Sequence, residues 1–312
     1  MSVFRRFVIG LTFFVPAAAA YCQGITNDLA AYYAFDNNAD DGSGYAHHGA
    51  VAQVIPTSDR FGRSDGAYRF DRVISAVTVS NSDAFDFPGN QDFTIALWAT
   101  FNSHNPSPGS YLIAKDNGAG PQAKWIFGFG VTPESGGAPA LFFHFNNPNN
   151  VGHWLADNKT YRVAPRTWHH YAVSKLGPSY RIFVDGVLFA SETSSSEIPG
   201  GISAPLTIGH AEGWSLDGEL DDIRIYTRAL PEAEVGSLFL MEAPPRLNVR
   251  RAVYVDSTTL KVGGTYQLQL SSDLISWTNS GAAFVATNQA WRSVNYWDSE
   301  NWDDLFFRLQ AQ

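Results

Sequence analysis

The chain has 312 residues, 45% of them hydrophobic, 14% aromatic and 16% charged. That is enough for one large domain and one small one, each with its own core. A net charge of −9 argues against nucleic acid as the partner, because the mean field of the chain repels polyanions.

The first twenty residues read as an export signal and not as fold. Arg5 and Arg6 give a positive start, "FVIGLTFFV" (7–15) is a short apolar run, and "PAAAA" (16–20) supplies small residues for cleavage after Ala20. The run is too short to span a membrane, and no later run approaches the roughly 18 apolar residues a span needs. A secreted, periplasmic or cell-surface protein without a transmembrane segment is expected. Cys22 is the single cysteine, so an intrachain disulfide is excluded. Tyr21 is too large for the position before a lipid-modified cysteine, and Cys22 reads as a free thiol.

From there the pattern is short strands with turn residues between them. Strands are expected at "LAAYYAF" (29–35), "AYRF" (67–70), "AVTVS" (76–80), "FTIALWATF" (93–101) and "YLIAK" (111–115). They continue at "KWIFGFGV" (124–131), "ALFFHFN" (140–146) and "HHYAVSKL" (169–176). "YRIFVDGVLFA" (180–190) reads as a hairpin turning at Asp185-Gly186, and "PLTIGH" (205–210) and "ELDDIRIY" (219–226) follow. These predict an all-β, antiparallel β-sandwich over residues 25–242. One helix is expected at "PEAEVGSLFLM" (231–241), with Pro231 in its first turn and Glu232 and Glu234 at the positive end of its dipole. Pro244-Pro245 breaks the chain. Five more strand-like runs, at 248–255, 265–272, 282–287, 291–297 and 305–311, predict a small C-terminal β module over 246–312.

Seven segments in order carry a resemblance: "AYYAFDNNADDGSGYAHHG" (31–49), "DRFGRSDGAYRFD" (59–71), "DFTIALWATF" (92–101), "RTWHHYAVSK" (166–175), "YRIFVDGVLFAS" (180–191), "PLTIG" (205–209) and "GELDDIRIYTRALPEAEV" (218–235). Together they resemble the LamG-like jelly-roll domains of secreted bacterial proteins, which share the concanavalin A-like lectin/glucanase fold. The resemblance implies a jelly roll whose opening strand lies near its closing strand, and a tendency to bind glycans or proteins. It does not imply one ligand, since function lives in the site and not in the fold. "YQLQLSSDLISWT" (266–278) and "FFRLQ" (306–310) resemble a short β module at the ends of secreted proteins of environmental bacteria.

Strand alternation puts Glu219 and Asp221 on one face, as two of the three carboxylates of a retaining glucanase of this fold would be. The third place holds Ile223 or Arg224, neither of which gives and takes a proton at working pH. A catalytic site is therefore not expected there. The resemblance offers another role. In glucanases of this fold a closing-strand Asp in a D-x-[VI]-R pattern ligates a structural calcium, and "DDIR" (221–224) matches with Asp221. Asp36 or Asp41, from the acid-rich opening segment, is the expected partner for Ca2+. The alternative is that these acids cap turns and face water. His47-His48 and His169-His170 cannot each chelate one ion, because neighbours on a strand point to opposite faces. No H-E-x-x-H, C-x-x-C or G-x-S-x-G occurs.

Trp98 and Trp168 fit the core pattern of the resemblance. Trp125, Trp154 and Trp214 fall outside it, near loops rich in Gly and Asn. With His144, Asn146 and Asn147 of "FHFNNPNNVGHW" (143–154), they are the expected ligand-binding residues: aromatics give sugars an apolar face, and amides and imidazoles give directional hydrogen bonds. The expectation is a non-catalytic binding protein for carbohydrate or a cell-surface partner. A glycoside hydrolase with an atypical site and a structural adhesion protein are the alternatives.

Overall fold

The computed structural model describes residues 25–103, 109–133, 135–155, 159–244, 252–253, 255–293, 297–298 and 304–312. The expected export signal, Cys22 and part of the 248–255 segment lie outside the described residues. The chain divides into two compact units, Met1–Pro244 and Pro245–Gln312.

The first unit is an antiparallel sandwich. In chain order its strands are β1 (Leu29–Tyr33), β2 (Gly49–Ala52), β3 (Ile55–Thr57), β4 (Ala67–Asp71), β5 (Ala76–Val79), β6 (Phe93–Phe101), β7 (Ser110–Asp116), β8 (Lys124–Val131) and β9 (Pro139–Asn146). They continue as β10 (Gly152–Leu155), β11 (His169–Leu176), β12 (Ser179–Val184), β13 (Val187–Thr193), β14 (Leu206–Ile208), β15 (His210–Ala211), β16 (Trp214–Ser215) and β17 (Asp217–Tyr226). One sheet has eight strands in the order β13-β12-β11-β6-β17-β4-β3, with β1 also paired to β17. The other has seven, β10-β9-β8-β7-β14-β5-β2. The opening strand does meet the closing one, Leu29 opposite Tyr226 and Tyr33 opposite Ile223.

Period-two alternation explains the layers. On β8, Trp125, Phe127 and Phe129 point inward; on β9, Leu141, Phe143 and Phe145 do the same, and all six are fully buried in one cluster. Phe93 and Tyr180 of the facing sheet pack against Phe143, with ring centroids 5.1 and 5.8 Å away. Burying each such side chain contributes about 1.5–3 kcal/mol. The hairpin at Asp185-Gly186 forms as expected, with φ of 50° and 76° at the two turn residues.

The helix, α1 (Glu232–Glu242), starts one residue later than expected. Pro231 is extended (φ −66°, ψ 159°) and sits outside the first turn as the cap. Val235 and Leu238 lay α1 on the outer face of the eight-stranded sheet, against Ala96, Ala172, Phe183 and Tyr226. Gly186 permits this closeness, since a Cβ there would meet Gly236 Cα at 3.0 Å.

In the second unit Thr265–Ser271 is the central strand, paired with Thr278–Asn279, Phe284–Val285 and Phe306–Ala311. Two short pairs join Ala252–Val253 to Trp297–Asp298 and Asp256–Ser257 to Trp291–Arg292. Leu260, Leu268 and Ala286 are buried, and Phe284 stacks on Trp291 with centroids 4.6 Å apart.

Candidate functional site

On β17 the core side chains are Leu220, Ile223 and Ile225. The step of three from Leu220 to Ile223 marks a β-bulge, located between Asp221 and Arg224, with Asp222 at φ 46°. Glu219 and Asp221 precede the bulge and share the outer face, as alternation predicts. Asp221 nevertheless lies beneath α1, 1% exposed. Arg60 reaches it with Nη1 2.5 Å from Oδ2, binds Asp222 Oδ2 through Nη2 at 2.6 Å, and donates from Nε to the Glu242 carbonyl at 2.7 Å. The Asp222 amide donates to Asp221 Oδ1 at 2.8 Å, and Tyr32 donates its hydroxyl to Asp222. Arg224 pairs with Glu242, whose other oxygen accepts from Trp98 Nε1 at 2.8 Å. Burial and the Asp222 charge lift the Asp221 carboxyl well above the ordinary carboxylate range, against the pull of Arg60. A group sealed under a helix cannot meet a sugar. These carboxylates anchor α1 and the 59–63 loop to the sheet.

The three expected calcium ligands do not fit a cation. Both Asp221 oxygens already accept hydrogen bonds, and the Arg60 guanidinium stands where an ion would. Asp41 accepts from the amides of Tyr32, Ser43 and His47 and from the Ser43 hydroxyl. Burial works against its charge, but these donors outweigh it and hold the carboxyl below its usual value. Asp36 is at the surface, 3.9 Å from Arg63. Among the described residues no cluster of three or more His, Cys, Asp or Glu side chains could hold a metal.

The six expected ligand-binding residues separate. Trp125 is a core residue, 0% exposed, with Nε1 bonded to the Phe85 carbonyl at 2.7 Å. Its alternation with Phe127 and Phe129 carried that signal in the sequence. Segment 152–155 is strand β10, not loop, and pairs with β9 so that Trp154 stands opposite His144. The two rings stack at 4.1 Å, and Trp154 also meets the edge of Phe142 at 4.9 Å. Asn146 is buried and spends its amide on the carbonyls of Gly120 and Gln122. Asn147 holds the β9–β10 turn, its Oδ1 accepting from the Asn149 and Val151 amides. Both asparagines are structural. Trp214 is 46% exposed on the β15–β16 hairpin, whose turn, Glu212-Gly213, has φ of 51° and 83°.

His144 and Trp154 belong to the outer face of the seven-stranded sheet. One row across it runs Thr207, Ala114, Ile126, His144 and Trp154 in register. Tyr111 and Phe142 flank Gly128, over which the Phe142 ring lies. Ala211 packs into the same cluster, so the β15–β16 hairpin folds over this face. Trp214 is directly opposite Ala211 and thus on the same side of that hairpin. Beside this apolar floor lies a charge cluster: buried Lys124 pairs with Glu212, stands 3.9 Å from Asp116, and donates to the Gly118 carbonyl. Burial and Lys124 depress the His144 imidazole to about 4, so it is neutral near pH 7. Burial, with Glu212 and Asp116 nearby, pushes the Tyr111 phenol up to about 12. Lys124, Asp116, Glu212 and Tyr111 escaped sequence reasoning, because the hairpin that joins them is set by tertiary contacts.

Comparison with known proteins agrees with the fold. No curated protein matches the chain. Among solved structures, domain 4 of AbnA, a GH43 extracellular arabinanase from Geobacillus stearothermophilus in complex with arabinotriose, is 18% identical with a TM-score of 0.51, covering 68% of this chain and 98% of that one. The binding domain of Paraclostridial Mosquitocidal Protein 1 is 16% identical (TM-score 0.52, 80% of this chain and 62% of that one). The receptor binding domain of a botulinum neurotoxin C/D mosaic serotype is 12% identical (0.52, 78% and 57%). The chain thus spans about three fifths of each toxin domain, and these likenesses establish fold alone. A model of the concanavalin A-like lectin/glucanases superfamily, of laminin G type, matches residues 73–236, which is 164 of the 312 residues. The chain belongs to that laminin G-type family of the concanavalin A-like lectin/glucanases superfamily.

Proposed function

We propose that the first unit is a non-catalytic carbohydrate-binding domain of an exported protein, and that glycan is held on the outer face of the seven-stranded sheet. The observation that carries this reading is the pairing of half-exposed Trp214 and partly buried Trp154 with the Lys124–Glu212–Asp116 charge cluster on one sheet face. Among the described residues, the α-helix of this unit lies on the other sheet. Tryptophan faces stack on the apolar side of a sugar ring, and the Glu212 carboxylate, a quarter exposed and held in place by buried Lys124, accepts from its hydroxyls. The arabinotriose in AbnA domain 4 and the binding-domain roles of the toxin neighbours are consistent with this reading. The burial of Asp221 favours binding over hydrolysis.

The test is a titration of the secreted chain against arabino-oligosaccharides and a broad glycan array. Saturable binding that Trp214→Ala removes, without reducing-sugar release from the same polysaccharides, supports the reading. Turnover that Glu219→Gln abolishes would replace it with the hydrolase alternative.

A further inference from the structure

The outer face of the eight-stranded sheet is open at one end. A recess of about 530 Å³ there is lined chiefly by Arg69, Asp71, Asn102, Arg166, Asp217 and Glu219. Register explains the convergence. Arg69 on β4 stands directly across from Glu219 on β17, and Glu219 stands across from Thr100 on β6. Gly218 lets β17 come this close, since a Cβ there would lie 1.9 Å from the Thr100 carbonyl oxygen. Asn102 follows the end of β6, and the Arg166 amide donates to the Phe101 carbonyl at 2.8 Å, bringing Arg166 to the same end.

The acids of the recess are mostly engaged. Asp71 turns back on its own loop, accepting from the amides of Val73, Ile74 and Ser75 and from the Ser75 hydroxyl. Asp217 accepts from Asn102 Nδ2 at 2.9 Å and faces Arg72 at 3.6 Å. Glu219 is half-buried and, among the described residues, accepts only a long bond, 3.4 Å, from Thr57. Burial raises its carboxyl above the usual value, against weaker pulls from Thr57, Arg69 and Arg166. Among the described residues neither Arg69 nor Arg166 has a carboxylate at ion-pair distance. Two guanidiniums therefore border Glu219, while Asp71 keeps its charge on neutral donors and Asp217 faces Arg72, so the recess is near neutral overall and takes at most one further negative charge. The engaged acids around the rim repel a polyanion.

We propose that this recess binds a hexuronate residue of an acidic glycan, its carboxylate held between Arg69 and Arg166 and its hydroxyls met by Glu219 and Asn102. The planar guanidinium fork matches a carboxylate in two parallel hydrogen bonds, and a phosphate monoester would bring more charge than the rim allows. The volume suits a small ligand. The recess is on the opposite sheet from Trp154 and Trp214, so either site can fail without the other.

The test is calorimetric titration of the chain with methyl galacturonoside, which carries one carboxylate, with neutral methyl galactoside and with sialyllactose. Saturable binding of methyl galacturonoside, weaker binding of the neutral sugar, and a loss of about tenfold or more in each of Arg69→Gln and Arg166→Gln are expected. Both arginines are exposed, so these variants keep the parent melting temperature. Trp214→Ala leaves this binding unchanged. Failure of methyl galacturonoside to bind, equal binding of the neutral sugar, binding of sialyllactose alone, or binding that survives the Arg69→Gln, Arg166→Gln double variant would each overturn the assignment.

Discussion

Arg60 and Asp221, 161 positions apart in the chain, meet beneath α1 with 3% and 2% of their side chains exposed. The Arg60 guanidinium also lies 4.6 Å above the Trp98 ring and binds Asp222 and the last helical carbonyl. One side chain thus joins the opening loop, the closing strand and the helix terminus. Removing it leaves buried carboxylates unpaired. Arg60→Met should cost about 3–5 kcal/mol in urea unfolding. A loss below about 1 kcal/mol would show that the network contributes little.

The same network sets a pH dependence. Arg60 and Arg224 face three carboxylates, Asp221, Asp222 and Glu242. Asp221 is raised to about 8, by burial first and by Asp222 next. Its folded value exceeds its unfolded one, so its contribution is complete below about pH 4 and is lost as pH rises through about 8. His170, buried and among the described residues without a partner for either ring nitrogen, is lowered to about 3, by burial and then by Arg224. Its contribution is complete above about pH 6.5 and is lost on acidification. Melting temperature should therefore fall from pH 6.5 to 8 in the parent and stay flat in Asp221→Asn. His170→Phe should flatten the acid side. Parallel profiles for parent and variants would contradict both assignments.

Calcium should leave the melting temperature unchanged, and so should a chelator. A native-state ligand at a hundredfold excess over Kd adds about 2.7 kcal/mol, which a melting curve reads easily. A rise of several degrees that Asp221→Asn abolishes would restore the metal site at that residue.

Trp125→Ala should destabilise by about 3–5 kcal/mol, since it opens a cavity in the main core and leaves the Phe85 carbonyl unpaired. Trp154→Ala should cost about 1–2 kcal/mol, because its ring packs on His144 and Phe142 while remaining partly accessible. Denaturation that ranks Trp154 above Trp125 would mean the two faces of this sheet are interchanged.

Much of this was legible in the sequence because strands repeat with period two. Residues 93–101, 124–131 and 169–176 fall where the apolar runs put them, and Glu219 and Asp221 do share a face. Chemistry at that face was not legible, because it depends on a partner far away in the chain: nothing local to "GELDDIRIY" announces Arg60 or the covering helix. The bulge at Asp222 is likewise a tertiary feature. Asn146 and Asn147 read as sugar ligands from composition, yet Asn146 donates to the Gly120 and Gln122 carbonyls of another loop and Asn147 accepts from amides of its own turn. Trp125 was readable from its phase with Phe127 and Phe129. The Lys124–Glu212 pair was not, since it rests on a hairpin folded over a sheet 88 positions away.

Binding of arabino-oligosaccharides and arrayed glycans by the chain, compared between parent and Trp214→Ala, tests the central reading most directly. Trp214 is half-exposed on a two-residue hairpin, so its removal should leave the melting temperature within about a degree of the parent. Glycan affinity should fall by about tenfold or more, the loss of one stacked ring. Unchanged affinity in Trp214→Ala, or release of reducing sugar that Glu219→Gln abolishes, would contradict a non-catalytic glycan-binding face on the seven-stranded sheet.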